Sequence, residues 1–100
     1  MSESMSLEEL RMTERKEMLR LAAAHGARNV RVFGSVARGD ISLSSDIDIF
    51  VDLDAGRSLM DLGGLLMDLT TLLDAPVEIA TENMLRPHIR ARALAEAIAL

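Results

Sequence analysis

Residues 46–53 read Asp-Ile-Asp-Ile-Phe-Val-Asp-Leu, a strict two-residue alternation. Successive side chains of a β-strand point to opposite faces. Asp46, Asp48, Phe50 and Asp52 therefore share one face, and Ile47, Ile49, Val51 and Leu53 share the other. One face is built for a core and the other carries carboxylates. A helix would scatter the same residues around its circumference.

The rest of the chain supplies partners for such a strand. Residues 6–25 have a helical pattern. Ser6 and Glu9 show capping-box spacing, and Gly26 is placed to end the helix. Val30–Phe33 predicts a short strand, and the small-residue turn 34–39 opens a short helix. A second long helix begins at Ser58, which has capping-box spacing to Asp61. Its apolar stripe is Leu62, Leu65, Leu66, Leu69 and Leu73. Gly63 and Gly64 inside it read as loosening the helix rather than as a close approach. Pro76–Ala80 predicts a third strand, with Glu78 on its polar face. A last helix is expected from Pro87 to the end, with Ala91, Leu94, Ala95 and Ile98 as its stripe. This order predicts a two-layer α/β fold: a small mixed sheet with helices packed on one face.

With 100 residues, the chain is read as one domain, 1–100. Hydrophobic residues make up 49% of it, too many for a disordered segment. No apolar run is long enough to span a bilayer, and the acidic start does not resemble a signal peptide, so a cytoplasmic protein without membrane contact is expected. The absence of cysteine excludes a disulfide framework, a thiol nucleophile and a cysteine zinc site.

The net charge of −5 is localised. Between Asp40 and Asp54 stand five acids and no base, whereas the remaining residues balance eleven acids against eleven bases. No basic excess is present to displace counterions, so generic nucleic-acid binding is not expected. The acidic strand points instead to a cation site.

Three features combine into a candidate site. Gly34-Ser35 follows a strand and opens a turn-helix, where backbone can approach an anion closely. Asp46 and Asp48 form an i, i+2 pair of hard oxygen donors. Glu78 reaches the same cations if strands 46–53 and 76–80 pair. Such a set suits two-metal phosphoryl or nucleotidyl transfer. Three rival motifs fail. Gly34-x4-Gly39 is followed by Asp40-Ile41 rather than the Lys-Ser/Thr of a Walker loop. An EF-hand from Asp46 would need an oxygen ligand at Phe50 and a glycine at Val51. A haloacid-type phosphatase carries its acid pair at the end of a strand, and here the acids begin it.

The remaining polar residues have plainer readings. Asp52 shares the acidic face and is read as solvated, and Asp40 as a turn or cap residue. His25 and His88 are not in ligand spacing. The seven methionines are core filler. Arg86, Arg90 and Arg92 read as a solvated helix face.

Phe33-Gly-Ser-Val-Ala-Arg-Gly-Asp40, Ser45-Asp-Ile-Asp-Ile-Phe-Val51 and Val77-Glu-Ile-Ala-Thr81 together resemble the minimal nucleotidyltransferases of the DNA polymerase β superfamily. The resemblance runs from about residue 10 to the end. It implies a polymerase β-like nucleotidyltransferase fold. It also implies that Gly34 and Ser35 bind the β/γ-phosphates of ATP, and that Asp46 and Asp48 hold two Mg²⁺ ions. Glu78 stands where the family usually has an aspartate as third carboxylate, and Arg38 belongs to the signature as a phosphate or partner contact. Family members serve as antitoxins to HEPN-domain ribonuclease toxins. They transfer AMP to a tyrosine of the toxin, so a hetero-oligomer with a HEPN protein is implied. Two alternatives stay open: an antitoxin that silences its partner by binding alone, and transfer to a small molecule or an RNA end.

Overall fold

The computed structural model describes residues 10–34 and 47–100. Residues 35–46, and with them all but the first residue of the expected 34–39 turn, lie outside the described residues, as does the Ser6–Glu9 cap. A π-helical turn, Leu10–Glu14, leads into α1, Arg15–Ala24. Then come β1 (Ala27–Phe33), β2 (Ile47–Leu53), α2 (Leu59–Leu73), β3 (Val77–Ala80), a 3-10 turn (Glu82–Met84), α3 (Pro87–Glu96) and β4 (Ile98–Ala99).

The strands form one mixed sheet in the order β3-β2-β1-β4. β2 runs parallel to β3 and antiparallel to β1, and β1 is antiparallel to β4. A parallel neighbour needs a crossover, and α2 supplies it. The alternation of β2 does what its sequence predicts. Ile47, Ile49 and Val51 are buried in the core with Ala27, Val30 and Val32 of β1. Met18 and Ala22 of α1 and Leu62, Leu65, Leu69 and Leu73 of α2 close over them.

The start of α2 follows its local code. The Ser58 hydroxyl accepts from the Met60 N–H at 3.2 Å, and the Asp61 carboxylate accepts from the Ser58 N–H at 2.9 Å. Both halves of the capping box are present. Gly26 has φ 74°, the left-handed conformation that ends a helix at least cost to glycine.

Four local expectations change. β1 starts at Ala27 rather than Val30. An irregular step between Arg28 and Arg31, with Asn29 at φ 52°, lets the longer strand pair with the far end of β2. α3 stops at Glu96, and Ile98–Ala99 become β4 against Arg31–Val32. The second edge of β1 is thereby paired instead of exposing its backbone groups. The buried residue of α3 is Ala93, while Ala91, Leu94 and Ala95 are exposed. Alanine is spread around this helix, so the sequence gives it no clear phase. Finally, Gly64 is a close approach: a Cβ there would stand 2.8 Å from the His25 ring, whereas Gly63 faces open space. His25 Nε2 and an Asp68 carboxylate oxygen, 2.7 Å apart, tie the end of α1 to α2 at this point.

Candidate active site

The acidic face of the sheet is built in rows. Asp48 on β2 stands in register with Phe33 of β1 on one side and with Glu78 of β3 on the other. Side chains at paired positions of adjacent strands project to the same face, with the backbones about 4.8 Å apart. The parallel register thus brings two carboxylates from distant sequence positions to one place. Asp48 is half-buried and Glu78 is exposed.

Gly34 follows directly on Phe33. Its φ is 71°, a conformation that side chains disfavour. A Cβ on Gly34 would coincide with the Asp48 carboxylate. The glycine is therefore required twice, by its backbone angle and by the space the carboxylate occupies. Gly34 thus lies directly against a carboxylate of the candidate site.

The next row along the face pairs Arg31 of β1 with Phe50 of β2. Phe50 is fully buried although it lies on the acidic face. The Arg31 guanidinium carbon lies 4.3 Å from its ring centroid, and Phe33 meets it edge-on at 5.7 Å. Arg31 Nη2 donates to Asp52 at 2.9 Å, Asn29 Nδ2 donates to the other Asp52 oxygen at 3.1 Å, and Arg31 Nε donates to the Asn29 carbonyl at 2.9 Å. The expectation of a solvated Asp52 is corrected. Its charge is paired on β1, a pairing that depends on strand register and has no local signal. Asp54 is likewise paired, with Arg28 at 2.9 Å.

Gly34, Asp48 and Glu78 are brought together by the fold. Ser35, Arg38, Asp40 and Asp46 lie outside the described residues. Among the described residues no group of three or more acid, histidine or cysteine side chains forms a metal cluster. Asp48 and Glu78 nevertheless offer an all-oxygen donor set, which fits a hard divalent cation such as Mg²⁺. Two shallow hollows flank the row. One, of about 310 Å³, is lined by Phe33, Gly34, Ile89 and Ala93 among others. The second, of about 500 Å³, borders Phe33, Glu78, Leu85 and Ile89. His88 is exposed on α3, and the exposed Arg92 pairs with Glu96 at 3.4 Å.

Residues 14–100 match the family model described as a nucleotidyltransferase domain. The chain belongs to that family. A nucleotidyltransferase is thus the enzyme class of this protein. It is 34% identical over 84 residues to a candidate protein adenylyltransferase of Methanocaldococcus jannaschii, covering 84% of this chain and 90% of that one. It is 33% identical over 96 residues to the protein adenylyltransferase MntA of Thermococcus cleftensis, covering 94% and 95%. A solved structure of a candidate minimal nucleotidyltransferase superposes with a TM-score of 0.85 at 47% identity, covering 96% of this chain and 97% of that one. The fold is also shared with a toxin–antitoxin crystal structure containing AMP-PNP, at a TM-score of 0.72 and 20% identity, covering 88% and 72%. The mixed sheet with α1 and α2 over its core face is therefore a minimal nucleotidyltransferase fold. No helix among the described residues is long and apolar enough to cross a membrane.

Proposed function

We propose that this nucleotidyltransferase transfers AMP from ATP to a hydroxyl of a partner toxin of the HEPN ribonuclease type and so acts as its antitoxin in the cytoplasm. The observation that carries this is the register of Asp48 with Glu78 beside Gly34. Two relatives at 33–34% identity that bear the name protein adenylyltransferase support a protein acceptor. The toxin–antitoxin assembly that shares the fold supports the choice of partner.

In this reading Asp46, Asp48 and Glu78 hold two Mg²⁺ ions, and Gly34, Ser35 and Arg38 receive the phosphates. When bound, the ions neutralise the triphosphate and lower the pKa of the acceptor hydroxyl. Gly34 leaves room for the Asp48 carboxylate, and Glu78 stands beside Asp48 on the neighbouring strand β3. The acceptor oxygen forms a bond to the α-phosphorus, the bond to the bridging oxygen breaks, and pyrophosphate leaves. The hydroxyl proton passes to Glu78 or to water.

Incubation of the chain with α-labelled ATP and the product of the neighbouring operon gene tests this. Label on the partner, lost in Asp48→Asn, is the expected result. Neutralisation of the partner without label would replace catalysis by simple binding. Label on a small molecule or an RNA end would replace the acceptor.

A further inference from the structure

We propose that Asp52 is a positioning residue that keeps Arg31 away from the metal-binding carboxylates. The proposal rests on the reading of Asp48 as a cation ligand. Arg31 stands in register with Phe50, so on the acidic face its two diagonal neighbours on β2 are Asp48 and Asp52. Diagonal neighbours in an antiparallel pair are within reach of a long side chain. The guanidinium goes to Asp52 alone among the described carboxylates.

The choice is enforced from several sides. Asp52 takes Nη2 of Arg31, and the Asn29 amide holds the second Asp52 oxygen. The Asn29 carbonyl takes Nε of Arg31, and the Phe50 ring lies beneath the guanidinium. Asn29 adopts φ 52° at the irregular step of β1, which is what aims both its carbonyl and its amide into this cluster. The Arg31 side chain is only 12% exposed. A guanidinium so withdrawn from water requires a carboxylate partner. Without Asp52, the remaining diagonal neighbour is Asp48. There Arg31 would compete directly with the divalent cation for the same oxygens.

The test is Mg²⁺ titration of the nucleotide-free protein, read as the rise in melting temperature. Asp52→Asn should raise the Mg²⁺ concentration for half-maximal stabilisation by about tenfold or more. Adding Arg31→Gln to that variant should return it to within about twofold of the native value, because the competitor is gone. Asp54→Asn releases Arg28 in the same way but farther along the strand. It should change the midpoint by less than about twofold, since charge alone at that range is screened. Asp48→Asn should abolish the response. Asp52→Ser, with the same expectation, serves if the asparagine variant does not fold. The proposal is overturned by a native midpoint in the Asp52 variant, by no recovery in the double variant, or by an equal effect of Asp54→Asn. A response that survives Asp48→Asn would instead remove the cation from Asp48, and the proposal would fall with that reading.

Discussion

Asp48 and Glu78 occupy paired positions on the parallel strands β2 and β3, thirty residues apart in sequence and neighbours on the sheet. The parallel crossover through α2 creates this pairing. If both carboxylates serve one metal site, removing either charge should be severe. Glu78→Gln is expected to lower AMP transfer by about 10²-fold or more. Glu78→Asp should retain more activity, since it keeps the carboxylate charge at the cost of reach. Single-turnover transfer of labelled AMP measures both. Equal rates for native and Gln variants would remove Glu78 from the site.

Gly34→Ala should damage activity more than stability. The left-handed φ alone costs about 1 kcal/mol for a side chain, and the new Cβ must push the Asp48 carboxylate aside. Displacement of a reacting group by about 1 Å can cost 10²-fold in rate. A melting curve read beside the transfer assay separates the two effects.

MgATP should stabilise the chain by ligand linkage, by about 2.7 kcal/mol at a hundredfold excess over Kd. Chelation of the metal with EDTA, or Asp48→Asn, should remove most of the shift. An unchanged melting temperature at millimolar MgATP would count against nucleotide binding.

The capping box of α2 makes a pH-dependent contribution. The Ser58 N–H and then the Arg57 side chain hold the Asp61 carboxyl below its ordinary value of 3.8. A carboxyl with a lowered folded-state pKa contributes stability above its unfolded value, and loses it as pH falls through the folded one. Asp61→Asn should therefore lower the melting temperature at pH 7, and the difference should shrink at pH values below 3.8. Ser58→Ala removes the other half of the cap and should cost about 1 kcal/mol. Thermal melts across pH check both.

Core packing is tested at Leu65, which is fully buried in the cluster under the sheet. Leu65→Ala should cost about 3 kcal/mol through lost transfer energy and a residual cavity. Met60, 87% exposed on the same helix, should tolerate alanine with little change. Chemical denaturation reports the contrast.

Several features of this protein are local, and the chain states them directly. The alternation of β2 separates a core face from an acidic face because the pleat has a period of two. The Ser58–Asp61 spacing starts α2 because one helical turn brings those groups together. Gly34 after Phe33 marks a backbone that admits no side chain. Other features required the sheet to assemble. The pairing of Asp48 with Glu78, the capture of Arg31 by Asp52, the contact of Gly64 with His25 and the turn of Ile98–Ala99 into β4 all join residues far apart in sequence. Register and strand order are fixed by burial of the shared core, and a slip of one residue would turn every β2 side chain to the wrong face. Local backbone geometry thus wrote the acids onto one side of a strand, while only collective packing decided which neighbours they would meet.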